Sequence, residues 1–227
     1  MPMAILENIK LHIPEDIGKD FLTKLMGGRL NPTLEKLLEE KKGICIKSIT
    51  PKAVYKSYEI EKVEDNSVYF KSGNVFNGPN ISKILKGSKT AIIFIYTIGT
   101  LTDQLIREVN DSGDSLSTII MDAITTSLLG LLSDHLGEII KKEGISKPGW
   151  GSTCGYAPGQ YRWTIEEQKE IFSMVDGSKI GVALNKSFLM IPFKSLSGVY
   201  GFGPADKIDK TRVACDLCPR ENCIGRH

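Results

Sequence analysis

Residues 155–172, GYAPGQYRWTIEEQKEIF, decide how this chain folds, together with residues 181–203, GVALNKSFLMIPFKSLSGVYGFG. The first stretch joins a glycine- and proline-rich loop to a helix start. Because glycine and proline favour turns, the loop is predicted to redirect the chain just before the helix. Thr164 and Glu167 have the spacing of a capping box, which predicts a helix from Thr164 to about Val175.

The rest of the chain contains further helix-like and strand-like patterns. Apolar residues at every third or fourth position predict one long helix over residues 116–142. A continuous β-branched and aromatic run predicts a buried strand over residues 91–97. The remaining predictions are helices over 31–41 and 101–109, a hairpin over 54–70, and strands over 182–184, 188–193 and 199–202 with a break at 194–198.

These elements do not alternate regularly, so we predict an α+β fold rather than a repeated βαβ unit. The predicted architecture is a mixed or antiparallel sheet with a long central helix and flanking helices. It extends over residues 1–204, and residues 205–227 form a separate cysteine-rich tail.

Composition excludes several classes of protein. The chain has 227 residues and a formal net charge of +2, so it has no basic field for nucleic acid or a membrane surface. Its most apolar stretch, residues 91–99, is too short to span a bilayer, and the N-terminus has no signal-peptide pattern. We therefore expect a cytoplasmic protein. The sequence lacks the GxxxxGK and GxGxxG patterns of common nucleotide-binding sites.

The cysteine-rich tail is predicted to bind a metal. Three cysteines have the spacing C-x2-C-x4-C: Cys215, Cys218 and Cys223. With His227 they would form a closed tetrahedral zinc site. With Cys154 of the glycine-rich loop they would hold an iron–sulfur cluster, and both interpretations stay open on the sequence. Cys45, within the apolar segment GICI, is expected to be a buried core residue.

Residues 97–203 resemble the reactivation domain of cobalamin-dependent methionine synthase and its free-standing relatives. That family has a loop of the type R-x-[SA]-P-G-Y, then a helix, then a strand region ES-x-x-M-x-P-x-x-S-x-SG. The matching residues here are Ala157, Pro158, Gly159, Ser187, Met190, Pro192, Ser195, Ser197 and Gly198. Residues 121–124, MDAI, resemble the LDAIGS stretch of the free-standing members. The resemblance implies the same α+β fold.

The resemblance also implies a binding site for S-adenosylmethionine. In the family a glycine-bearing loop approaches the ligand and an arginine holds its carboxylate. The sequence departs from this pattern at three positions: Gly155 replaces the arginine, Gln160 a tyrosine, and Gly130 an acidic residue of the long helix. With two nearby residues as candidate replacements, the predicted cofactor-binding set is Asp122, Ala157, Pro158, Gly159, Tyr161 and Arg162.

Three functional hypotheses follow. The first is an accessory protein for reductive reactivation of a cobalamin-dependent methyltransferase in methionine biosynthesis, with an electron passing through the tail metal. Cobalamin would then reside on a corrinoid-binding partner, because this chain lacks the D-x-H-x-x-G pattern. The second is a zinc-stabilised, non-catalytic binding module, and the third is an S-adenosylmethionine-binding methyl donor. Membrane and nucleic-acid partners are not expected.

Overall fold

The computed structural model describes residues 2–209, 211, 214–221 and 223. In this part of the chain seven strands form one antiparallel sheet in the order β4-β3-β2-β5-β9-β6, with β1 paired to the start of β2. A small separate hairpin joins β7 and β8. The strands are β1 Ala4–Leu6, β2 Lys52–Glu64, β3 Ser67–Phe70, β4 Val75–Asn77, β5 Thr90–Thr97, β6 Trp150–Ser152, β7 Ala183–Leu184, β8 Met190–Ile191 and β9 Ser195–Pro204.

Helices cover both faces of this sheet. Four helices share a core with one face: α1 Lys19–Leu25, α2 Pro32–Ser48, α4 Thr100–Asp111 and α5 Ser115–Gly144. Two shorter helices pack on the opposite face: α3 Pro79–Leu85 and α6 Gln168–Met174. The predicted α+β class, the antiparallel sheet and the long central helix are therefore confirmed.

The longest helix, α5, forms the main support of the sheet. Its N-cap is Asp114, whose carboxylate accepts the Ser117 N–H at 3.0 Å. Twelve of its thirty residues are buried. At its end Gly144 lies directly against the Phe202 ring, so a side chain there would collide with β9. This close approach explains why the helix ends in glycine.

By length and composition alone, α5 is also apolar enough to cross a membrane. The sequence-based prediction against a membrane span considered residues 91–99, the most apolar stretch, and did not weigh the longer α5. The buried side chains of α5 pack in the core shared with β5, β9 and the neighbouring helices. Such packing gives a core helix the same apolar composition as a membrane span.

Strand β9 corrects one prediction. Residues 195–198 were expected to break the strands, yet β9 pairs with β5 from Ser195 onward without a register shift. The two serine side chains of this segment form hydrogen bonds inside the protein. Ser195 donates to the Pro192 carbonyl at 2.7 Å, and Ser197 donates to Gln168 Oε1 at 2.6 Å. Buried polar groups that are hydrogen-bonded in this way no longer oppose a central strand.

The helix start at Thr164 was also predicted with the wrong geometry. Residues 165–167 form a 3₁₀ turn, Thr164 makes no side-chain capping bond, and α6 begins only at Gln168. The Glu167 carboxylate is engaged elsewhere, since it accepts the Asn77 N–H at 2.8 Å. The strand predicted over 188–193 is reduced to β8, and β6 was not predicted.

Candidate functional site

A wide groove lies between α5 and the segment that leads into α1. Its volume is about 550 Å³, within the range of small-molecule sites. Gly130, the position where the related family has an acidic residue, lines this groove. Asp134 follows four residues later and lines it too, because residues four apart lie on the same face of a helix.

The groove combines acidic groups with apolar walls. Its charged lining residues are Asp16, Asp20, Asp134 and Lys24, and its apolar lining residues include Ile17, Phe21, Leu131 and Leu196. Three carboxylates against one ammonium leave an excess of negative charge. This lining is complementary to a ligand that carries positive charge on an apolar body. Asp134 was not among the site residues predicted from the sequence. Its spacing of four residues from Gly130, which places both on one face of α5, is the signal that could have identified it.

Tyr200 explains why the loop has no arginine at position 155. A Cβ atom on Gly155 would lie 2.8–3.1 Å from atoms of the Tyr200 ring. That ring packs against Phe94 with 5.5 Å between centroids, and Lys141 Nζ lies 5.5 Å from its centre. Burial raises the pKa of Tyr200, and the charges of Cys154 and Asp134 raise it further. An aromatic ring therefore fills the space into which a side chain at 155 would extend.

The loop itself is held by its own hydrogen bonds. Gln160 Oε1 accepts the Ala157 N–H at 2.9 Å, and the Gly159 N–H donates to the Trp163 carbonyl at 2.8 Å. The Tyr161 carbonyl accepts bonds from Asn80 Nδ2 at 2.9 Å and from the Tyr156 hydroxyl. Pro158 is buried, whereas Arg162 is exposed with a left-handed φ of 60°. The backbone donors at Ala157 and Gly159 are thus already paired within the loop.

Asp122 lies in a different groove, of about 450 Å³, between α4, α5 and the segment before β9. Its carboxylate forms an ion pair with Lys194 at 2.7 Å, and Lys194 also donates to Thr126 Oγ1 at 2.7 Å. Asp122 is 55% exposed at its side chain. Since Thr126 also lines the larger groove, the two grooves are neighbours along α5.

The structure therefore divides the predicted cofactor-binding residues between two faces of the sheet. Asp122 belongs to the helical layer of α5. The loop at 157–162 is anchored through Tyr156 and Trp163 to the core on the opposite face. The groove that Asp122 lines is not lined by residues of the loop 157–162.

The predicted metal ligand Cys154 is buried, with 8% of its surface exposed. Burial raises the pKa of its thiol to about 11, and the charges of Asp209 and Asp216 act in the same direction. Asp216 belongs to a 3₁₀ turn, Ala214–Leu217, that contains the first tail cysteine. Ala214 and Leu217 pack against the core that includes Cys154. The fold thus brings the start of the tail to the buried thiol.

The remaining predicted ligands are only partly described. Cys215 and Cys218 are half-buried and Cys223 is exposed, while His227 lies outside the described residues. Among the residues that the structure describes, no three histidine, cysteine or acidic side chains lie close enough together to hold a metal ion. Cys45 is buried in α2, as expected, and burial raises the pKa of its thiol to about 11.

Comparison with known proteins identifies the fold. No protein-family model and no curated protein sequence matches the chain. Among solved structures, the chain is similar to the MetH reactivation domain bound to AdoHcy, with 16% sequence identity and a TM-score of 0.63. The match covers 92% of this chain and 81% of that one. The chain therefore has the fold of the MetH reactivation domain.

Proposed function

We propose that this chain is an accessory protein for the reductive reactivation of a corrinoid-dependent methyltransferase. The observation that carries the proposal is the fold match to the MetH reactivation domain bound to AdoHcy, which extends over 92% of the chain. AdoHcy is what S-adenosylmethionine becomes after it has given up its methyl group. The partner is a corrinoid-binding module, because residues 1–227 contain no D-x-H-x-x-G pattern.

The proposed reaction consumes one electron and one methyl group. A one-electron carrier reduces cob(II)alamin on the partner to cob(I)alamin. The cobalt(I) electron pair then forms the cobalt–methyl bond, and the sulfur of S-adenosylmethionine keeps the electron pair of the broken S–CH₃ bond. We propose that Cys215, Cys218 and Cys223 would hold the metal centre, which would supply the one-electron transfer. A low-potential one-electron donor protein would reduce that centre.

We place S-adenosylmethionine in the acidic groove between the α1 segment and α5. Its sulfonium carries a positive charge and its adenosine supplies a large, weakly polar body. These features are complementary to the carboxylates of Asp16, Asp20 and Asp134 and to the apolar walls beside them. In this arrangement Asp134 takes over the position of the acidic residue that Gly130 lacks. The filled space at Gly155 does not exclude binding in this groove, because Gly155 does not line it.

The Asp134→Asn variant tests this placement. Removing one carboxylate from a partly exposed site costs about 1 kcal/mol of charge interaction, so binding of S-adenosylmethionine is expected to weaken about fivefold. Binding of AdoHcy, whose thioether is uncharged, is expected to change much less. Calorimetric titration of both ligands at low salt measures the difference.

Asp111→Asn is the matched control, since Asp111 lies at the exposed end of α4 outside both grooves. It should leave both affinities unchanged. A loss for Asp122→Asn with none for Asp134→Asn would move the ligand to the smaller groove. No binding of either ligand by the unaltered chain would remove S-adenosylmethionine from the proposal.

Methyl transfer to cobalamin tests the function as a whole. Protein purified without oxygen, reduced with dithionite and freed of excess reductant is mixed with cob(II)alamin and S-adenosylmethionine. We expect methylcobalamin to form, and to form at least tenfold more slowly with Cys218→Ala. A protein that contains zinc and yields no methylcobalamin would contradict the proposal and favour the non-catalytic binding module.

A further inference from the structure

We propose that Cys215 and Cys218 form a redox-active dithiol that reacts with the disulfide of a low-molecular-weight thiol. The product on the protein is an intramolecular disulfide between these two residues. In the structure both cysteines are thiols. The inference goes beyond the proposed function and does not depend on it, because the reaction needs neither a corrinoid nor S-adenosylmethionine.

The 3₁₀ turn Ala214–Leu217 brings the two cysteines to the distance that a disulfide spans. The Cys218 N–H donates to the Cys215 carbonyl at 3.1 Å, which continues the three-residue pattern of the turn. In a 3₁₀ helix residues i and i+3 lie on one face, and three steps of about 2 Å separate their Cα atoms by about 6 Å. Disulfides join Cα atoms about 4.4–6.8 Å apart, most often about 5.5–6 Å. The backbone is therefore already arranged for ring closure.

The exposure of side chains along the turn follows the same period of three. Ala214 and Leu217 pack against the core of the sheet, which fixes the turn. Asp216, on the next face, is exposed. Cys215 and Cys218 share the remaining face, and both are half-buried. The pair is thus held in place by its neighbours and is still open to a small molecule from solvent.

The other cysteines of the chain do not have this combination of pairing and access. Cys45 and Cys154 are 1% and 8% exposed, so a small disulfide does not reach them in the folded protein. Cys223 is exposed but lies beyond the turn, five positions after Cys218. Only one pair of thiols among the described cysteines therefore shares an accessible face of a single turn.

A disulfide needs two sulfurs, whereas a metal site needs at least three converging ligands. Over the described residues, no three histidine, cysteine or acidic side chains lie close enough together to hold a metal ion. The geometry of the turn therefore favours two-sulfur chemistry. Because metal ligands must be thiolates, a disulfide at Cys215 and Cys218 and a metal at the same sulfurs exclude each other. Oxidation of the pair would withdraw both residues from the metal centre proposed above.

The reaction consists of two sulfur–sulfur exchanges. The thiolate of one cysteine attacks the small disulfide RSSR, forms a mixed disulfide and releases RS⁻. The thiolate of the second cysteine then attacks the sulfur of the first, forms the internal disulfide and releases the second RS⁻. The protons of the two protein thiols end on the released thiols. The protein loses two electrons and RSSR becomes two RSH, so an excess of a small dithiol reverses both steps.

The test uses the full chain, reduced, treated with a chelator and then incubated with glutathione disulfide. Remaining thiols are alkylated, and intact mass and peptide mapping identify the product. We expect a protein lighter by two hydrogens, with a linkage between Cys215 and Cys218. The mixed disulfide with glutathione should be at least about tenfold less abundant, because ring closure is intramolecular. Dithiothreitol should restore both thiols.

Serine variants separate the two exchanges. Cys215→Ser and Cys218→Ser should each stop at a glutathione adduct on the remaining cysteine of the pair, since the second attack is removed. Cys223→Ser is the matched control, because Cys223 lies in the same tail but outside the turn, and it should form the internal disulfide like the unaltered chain. Circular dichroism confirms that each variant keeps the fold.

Three results would overturn the inference. They are an unaltered chain whose thiols all remain open to alkylation, a stable glutathione adduct without ring closure, and a linkage that maps to Cys154 or Cys223. Loss of the internal disulfide in Cys223→Ser would also contradict it. Methylcobalamin is not measured in this experiment, so a failure of the proposed function would leave the result unchanged.

Discussion

Replacing Trp163 by alanine is expected to lower the free energy of unfolding by about 3–5 kcal/mol, a large part of the stability of an ordinary domain. Trp163 is 1% exposed. Its ring stacks on Tyr156 at 5.8 Å between centroids and contacts Phe76 at 5.3 Å. Removing it opens a cavity where the glycine-rich loop joins the core, and it deletes two aromatic contacts.

Urea denaturation followed by circular dichroism measures this loss. Trp150→Ala is the matched control, because Trp150 lies on the edge strand β6, is only half-buried and contacts Lys147 through its ring face. We expect a clearly smaller shift of the midpoint for Trp150→Ala. Equal shifts for the two variants would contradict the view that Trp163 is the anchor of the loop.

The anchoring has a consequence for ligand binding. The loop is held by Trp163 and by Asn80, and its exposed residues Tyr161 and Arg162 do not line the acidic groove of α5. A sequence match around Pro158 and Gly159 therefore preserves the loop as a structural element. The carboxylate that we propose pairs with the ligand lies instead on α5, at Asp134.

How much of the fold the sequence predicts depends on how local the determining contacts are. Helix α5 and strand β5 were predicted because their apolar patterns are long and regular. Strand β9 was missed over residues 195–198 because serine and glycine have low strand propensity. Their place in the strand depends on Gln168, which accepts from Ser197, and on Gly198, where a Cβ would lie 2.6 Å from the Tyr156 carbonyl. Both contacts are distant in sequence.

The same reasoning applies to the candidate site. The spacing of the tail cysteines is a local signal, so the sequence predicts a metal site there. The contact between the turn Ala214–Leu217 and the core that contains Cys154 depends on tertiary structure. On the sequence alone, Cys154 and His227 therefore remained alternative fourth ligands. Spacing alone also could not reveal that the Tyr200 ring occupies the space beside Gly155. This close approach leads to the second large expected effect.

Introducing an arginine at position 155 by Gly155→Arg is expected to destabilise the protein by about 1–3 kcal/mol and not to strengthen S-adenosylmethionine binding. The new Cβ would lie within 3.1 Å of the Tyr200 ring, which is held between Phe94 and Lys141. Gly43→Arg is the matched control. Gly43 lies on the exposed face of α2 with open space around it, so the same change there should be neutral or stabilising.

A double-mutant cycle distinguishes this clash from a general intolerance of arginine. In a Tyr200→Ala background the space at position 155 is open, so Gly155→Arg should cost far less than in the unaltered protein. The coupling free energy between the two sites should then be about 1–3 kcal/mol in urea denaturation. Equal costs in both backgrounds would show that Tyr200 is not the obstacle. If the double variant also binds S-adenosylmethionine more tightly than Tyr200→Ala alone, the arginine reaches the ligand carboxylate once the ring is gone.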